Sequence, residues 1–344
     1  MSARTLVVSD FHLGARLEHD VLRHTEPLQR LLAALDDVER LVLLGDIVEL
    51  MEGRATAAMR IAEPVLRAIG TRLGPDREVL LVPGNHDGPL VRPWVRRVGA
   101  RLDPTTEVPL DATAVLARVV SLLGPARVRV SYPGAWIADG VWATHGHYLD
   151  RHLMPDSSVG ILRGRQPADR VRPNNYERVR RPSLSRTSRM FPQSLARLLS
   201  DAADLTRAAT MPALTRGLLH RRFAPLTSMV LGLQMRYAGI PALTRVVQRL
   251  GVEADHVLFG HVHRLGPLPD DDPAHWAGPD GAPRILNTGS WLFEPLLVHR
   301  VTPPHPYWPG GAVLLEPGAE PRAVGLLDEV AAEALRPRSQ GRIR

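Results

Sequence analysis

The chain contains no cysteine, and its 43 basic residues include no lysine; only 5% of its 344 residues are aromatic. Without thiols it can build neither a disulfide framework nor a thiolate metal site, so any metal must be held by His, Asp, Asn or Glu. The all-arginine basic set carries no functional meaning of its own, because arginine and lysine differ too little on a solvated surface to force the choice. Long apolar runs are missing as well. The longest low-charge stretch, around "LTSMVLGLQM", falls short of the roughly 20 residues a membrane span needs. The opening "MSARTLVVSDFHLG" has no small-residue cleavage pattern. These absences lead us to expect a soluble, cytoplasmic chain, long enough for one large domain with an insertion or for two modest ones.

Acidic residues are scarce in one segment only. Residues 151–250 hold 18 Arg against five acids, an excess of 13, while the remainder is acidic by 6 and the whole chain carries +7. Within that segment "GRQPADRVRPNNYERVRRPSLSRTSR" (164–189) is rich in Pro and Arg and poor in apolar residues, the composition of a solvated loop. "PQSLARLLSDAADLTRAA", "MPALTRGLLHRRF" and "PLTSMVLGLQMRY" then read as short helices started by prolines. The expected division is a core of 1–150 with 240–335, an Arg-rich, mainly helical insertion or cap at 151–239, and a flexible tail at 336–344. A cap of this kind suits a phosphorylated anionic substrate or peripheral contact with anionic lipid, with nucleic acid less favoured.

Outside the insertion, strands and helices alternate. "TLVVSD" (5–10), "RLVLLGD" (40–46) and "EVLLVPG" (78–84) are short apolar runs ending in Asp or Gly, and "PLQRLLAALDDV" and "ATAAMRIAEPVLRAIG" between them show helical spacing. Strand-like runs follow at 128–132, 134–146 (a hairpin through Asp139-Gly140), 255–260, 283–289, 312–317 and 322–327, with 240–251 a helix feeding the strand at 255.

Ligands of open α/β sheets gather at the carboxyl ends of strands, where this chain collects its polar residues. "SDFHLG" supplies Asp10 and His12, "LLGD" Asp46, "GNHD" Asn85, His86 and Asp87, "THGH" His145, and "FGHVH" His261 and His263. Asp10 and His12 are two apart, as are His261 and His263, so in extended backbone each pair is expected to project from one face. Carboxylate, carboxamide and imidazole from separate strand ends suit one or two divalent cations such as Mn, Fe, Zn or Ni. Any one of these stretches alone has an ordinary explanation: Gly-Asp is common turn chemistry and a lone His at a strand end is usually a hydrogen-bonded structural residue. Five together, each after an apolar run, are not coincidence. The other histidines lack that position, and His147 is the one nearest to sharing it.

In this order, D-x-H, G-D, G-N-H-D, a G-H-type His and G-H-x-H resemble the calcineurin-like metallophosphoesterase family over residues 5–146 and 255–290. The resemblance implies an α/β fold, a four-layer αββα sandwich around two metals. It further implies that Asp10, His12 and His263 hold one ion, that Asn85, His145 and His261 hold the other, and that Asp46 bridges them. His86 would then stand by the leaving group with Asp87 orienting it. The implied activity is dinuclear-metal-dependent hydrolysis of a phosphodiester or phosphomonoester by a metal-bridging hydroxide. "SDFHLG" with "GDIVEL" is also similar to the branch containing the UDP-diacylglucosamine pyrophosphatases, although that branch usually has Arg in place of His86. This leaves as alternatives a pyrophosphatase acting on a nucleotide-linked lipid or sugar at the membrane surface, and a non-enzymatic, metal-stabilised scaffold.

Overall fold

The computed structural model describes residues 3–15, 18–153, 170–177, 238–295, 297–298 and 301–337. Most of the expected cap, and all but the first two residues of the expected tail, lie outside the described residues.

The first three apolar runs form β1 (Thr5–Val8), β2 (Arg40–Leu43) and β3 (Glu78–Leu81), paired in parallel in that order. Their near-continuous Val and Leu content fits strands covered on both faces. Between them run α1 (Thr25–Ala34) and α2 (Ala55–Leu73). In α2 the buried Ala58, Ala62, Val65, Leu66, Ile69 and Leu73 recur at three- and four-residue spacing, the stripe a helix lays on a sheet. α3 (Arg92–Val98) and α4 (Ala114–Leu123) follow, the latter capped by the Thr113 hydroxyl, which accepts from Leu116 N.

β4 (Thr105–Glu107) is a short, largely exposed strand on β5 (Arg127–Ala138). β5 is one strand where the sequence suggests two. Its first half pairs with β3 up to Val130, and from Gly134 it pairs with β6 (Val141–Thr144). Pro133, which has no N–H for a ladder, stands at the changeover between partners. After β6 come α5 (Asp150–Leu153), α6 (Pro173–Glu177), α7 (Ile240–Leu250), β7 (His256–Phe259), β8 (Leu265–Gly266), β9 (Arg284–Thr288), β10 (Gly311–Leu315), β11 (Arg322–Gly325) and α8 (Ala332–Leu335). α7 ends on Gly251 at φ 67°, a left-handed C-terminal cap. The hydrogen-bonded path is β11-β10-β1-β2-β3-β5-β6-β7-β9-β8.

This mixed α/β chain thus has one large sheet path and three apolar clusters. The largest lies between β1–β3 with β10 and the helices α1, α2 and α4. The second lies between β7, β9 and α7, with Tyr148 and Tyr176. The third joins side chains from strands of both halves of the path, such as Val42 and Leu80 with Ala143, Leu258 and Leu286. Nine of the eleven strands among the described residues were legible as apolar runs; β4 and β8, three and two residues long, carry no such run. Among the described residues, no helix is long and apolar enough to cross a membrane.

Candidate metal centre

The carboxyl ends of β1, β2, β3, β6 and β7 meet at one edge of the sheet path, bringing together all seven residues expected to bind metal. Seven described non-glycine residues have positive φ, and five of them are Asp10 (54°), His12 (45°), Asp46 (53°), His261 (69°) and His263 (59°). The expectation that the two D-x-H and H-x-H pairs converge through extended backbone is therefore incorrect. Left-handed turns after β1 and β7 aim them, at a strain on the order of 1–3 kcal/mol per residue. The surrounding hydrogen bonds hold these turns, among them Asp10 N to Gly45 O (3.0 Å) and His12 N to Asp46 O (2.8 Å).

Asp10 is fully buried, and its two oxygens differ. Oδ2 accepts from the Ser9 hydroxyl and from His261 N at 2.9 Å. Oδ1 has no hydrogen-bond partner, and neither does the buried Nε2 of His12, 3.8 Å away. His263 Nε2 lies 3.2 Å from the same Oδ1. Asp46 offers Oδ1 to His86 N (2.8 Å), while its Oδ2 stands 3.1 Å from His145 Nε2 and 3.7 Å from His12 Nε2. That oxygen lies between two sets of ligands. Asp10, His12 and His263 form one group able to hold a cation, and Asp46, His145 and His261 form another; His12, Asp46 and His86 make a third that overlaps the first two. Asn85 Oδ1 is 3.1 Å from His145 Nε2, at the second group. Two glycines keep the space open: a Cβ on Gly84 would strike Asp46 Oδ1 and His145, and one on Gly260 would strike Ser9 and Asp10 Oδ2.

His12, His86, His145 and His261 are each held through one ring nitrogen, as metal-binding histidines usually are. His145 Nδ1–H donates to Leu44 O (3.0 Å), and His261 Nε2 meets Asp150 Oδ1 (3.0 Å). His12 Nδ1 (3.0 Å) and His86 Nδ1 (2.7 Å) both donate to Oε2 of Glu49, whose Oε1 accepts from Met51 N (3.0 Å) and Glu52 N (2.9 Å). Glu49 and Asp150 were missed in the sequence. Glu49 had a signal, since it is an acid in the apolar run Ile47, Val48, Leu50; Asp150 had none. The expected role of Asp87 is also corrected. Both of its oxygens accept backbone N–H bonds, from Ile47 (3.0 Å) and from Gly84, so it ties β2's end to β3's end while Glu49 orients His86.

The electrostatics show a site built for positive charge. Burial alone would raise the Asp46 carboxyl, but the His145 charge and hydrogen bond outweigh it and hold it well below the usual range. Asp10 is likewise held low against burial, by His263 and His12. Glu49, against burial, is brought down to about 2 by bonds from His12 and His86. Burial disfavours the His145 cation, yet Asp46 raises its pKa to about 9. Burial and the Asp46 charge push Asp87 up to about 6. Burial and the neighbouring His145 and His261 lower His147 to about 3, so it stays a neutral wall residue with Nε2 3.3 Å from Tyr132 Oη.

Among the sequence comparisons, the family model for calcineurin-like phosphoesterase matches residues 3–265. No curated protein matches the chain.

Proposed function

Because the chain belongs to the calcineurin-like phosphoesterase family, we propose that it is a dinuclear-metal-dependent hydrolase of phosphodiesters or phosphomonoesters, folded as a four-layer αββα sandwich. The strand path that changes partner along β5, and the apolar cluster shared by both of its halves, support the layering. The orphaned pair Asp10 Oδ1 and His12 Nε2, buried and facing His263, carries the functional reading. Unpaired acceptors are costly inside a protein, and these two point where a cation would satisfy both. The donor set of carboxylate, carboxamide and imidazole fits Mn, Fe, Zn or Ni.

In this reading Asp10, His12 and His263 hold one ion, Asn85, His145 and His261 the other, and Asp46 Oδ2 is shared. When bound, the two cations supply Lewis acidity to the phosphoryl oxygens and acidify a water nucleophile. The chain's own residues do the rest. The Leu44 carbonyl and Asp150 fix the rings of His145 and His261. Glu49 accepts a hydrogen bond from Nδ1–H of His86; with the ring doubly protonated, the proton on Nε2 is the one His86 would pass to the departing oxygen. Asp87 keeps the loop bearing Asn85 and His86 against the end of β2.

We assign 1–150 with 240–335 to the core and 151–239 to a cap over the cleft. Its roots support this: α5 starts at Asp150, which touches His261, and Glu177 of α6 accepts from Tyr132 (2.5 Å) and Tyr148 (2.6 Å) beside His147. The decisive experiment is metal removal and add-back on purified protein, assayed on a monoester, a diester, a nucleotide and a pyrophosphate-linked substrate. Activity should vanish on exhaustive chelation and return with one of the four metals; full activity after chelation would refute the reading.

A further inference from the structure

Arg92 opens α3, six residues beyond His86. Its guanidinium lies flat over Gly88: a Cβ there would be 3.0 Å from Nη2 and 3.2 Å from Cζ and Nε. Nη1 reaches Met51 Sδ at 3.5 Å. Met51 is two residues past Glu49 and Gly88 two past His86, so the guanidinium bridges the two loops that carry the Glu49–His86 pair. Both contacts place Arg92 beside the Glu49–His86 pair.

No described carboxylate forms an ion pair with it within 4.0 Å. Arg264, next to His263, is different: it is engaged by Asp271 at 2.6 Å and lies over Trp276 at 4.9 Å. Among the described residues, the one hydrogen-bond acceptor of the Arg92 side chain is a thioether at an exposed contact, and a thioether is a weak acceptor. A guanidinium left in this state is a planar five-donor fork, suited to two oxygens of a phosphate or carboxylate.

We propose that Arg92 forms an anion subsite beside the metal centre, taking a second anionic group that the substrate carries near its scissile phosphoryl. The subsite rests on the phosphoesterase reading for the identity of the first group. It requires only that a phosphate or carboxylate displace Met51 Sδ from Nη1.

The test is calorimetric titration of the manganese-loaded full chain with AMP, ADP and adenosine 3′,5′-bisphosphate, with and without Arg92→Gln, in a His86→Ala background so that the probes survive. One of the two-anion probes should bind tighter than AMP by about 10- to 100-fold, the size expected of hydrogen bonds to a charged group. Arg92→Gln should erase that preference and change AMP affinity by less than about threefold, with metal content unaltered. The subsite is overturned if the intact chain shows no preference, if the preference survives Arg92→Gln, or if all three affinities fall together. Binding through Arg92, together with no hydrolysis of any phosphoester by the metal-loaded chain with His86 intact, would keep the subsite and defeat the hydrolase reading instead.

Discussion

Replacing Glu49 by Gln tests how the site is held. The carboxylate takes four hydrogen bonds, two on Oε2 from His12 and His86 and two on Oε1 from Met51 N and Glu52 N. A carboxamide has one oxygen, so two of the four donors must face an NH2. With the nitrogen toward the rings, His12 and His86 can only accept at Nδ1, which moves their protons to Nε2. His12 then loses the lone pair that faces Asp10, and His86, accepting at Nδ1, can no longer carry protons on both nitrogens as the more acidic donor. With the nitrogen toward the backbone, the turn at 51–52 loses its acceptor and carries the side chain away. Hydrogen bonds to charged groups contribute about 1.5–3 kcal/mol each, and loss of a group orienting a metal ligand typically costs about 10- to 100-fold. We therefore expect Glu49→Gln to lower kcat by about 100-fold on substrates with poor leaving groups, and to weaken one of two bound metals about tenfold. The assay is a leaving-group series at saturating metal, with metal content measured in parallel. A loss equal for every leaving group, or one fully restored by excess metal, would show that Glu49 does not act through His86.

Three further outcomes follow from the geometry. Asp46→Asn should lower occupancy of both metals, because Oδ2 stands between both ligand groups, whereas His263→Ala should lower one; single-metal loss in both variants, by elemental analysis, would contradict the shared oxygen. Asp150→Asn should reduce affinity for the metal at His145 and His261 by about tenfold while sparing the other, read by competition with a chromophoric chelator; equal weakening of both would place Asp150 elsewhere in the design. His145, raised to about 9 in the fold from an ordinary 6.5, stabilises the metal-free protein fully below pH 6.5, and that contribution is lost as pH climbs through 9. Metal-free protein should therefore melt several degrees lower at pH 9.5 than at pH 6, while added manganese widens its stabilisation over the same range because metal binding releases those protons. A metal-free melting temperature that stays flat or rises would refute the His145–Asp46 pairing.

What the sequence revealed and what it hid have the same cause. The residues gathered at the candidate site stand directly after buried apolar runs, and a polar residue at the end of a Val- and Leu-rich strand is conspicuous. Asp10, Asp46, Asn85, His145 and His261 stood out for that reason, as did the positions of the core strands along the chain. The groups that orient them depend on contacts between loops far apart in sequence: Asp150 reaches His261 across 111 residues, and Glu49 reaches both His12 and His86 across 37. No local pattern encodes such a contact. Asp87 shows the converse. Its adjacency to His86 suggested a partnership, but a side chain beside another along the chain usually points elsewhere, and this one turns to the amides of Ile47 and Gly84.

The backbone conformation was hidden for a further reason. Asp and His both tolerate the left-handed region better than branched residues do, so nothing in D-x-H or H-x-H distinguishes a left-handed turn from a strand. Yet the turn matters to the chemistry. In extended backbone Asp10 and His12 would continue β1 and stand in line, roughly 6–7 Å apart along the strand. Turned at φ 54° and 45°, they bring Asp10 Oδ1 and His12 Nε2 to 3.8 Å, and the matching turn after β7 brings His263 to 3.2 Å from the same oxygen. The strain of these turns is carried by the buried strands beneath, whose parallel ladder fixes Asp10 N on Gly45 O and His12 N on Asp46 O. The sheet edge thereby holds these side chains at a spacing that one ion could span.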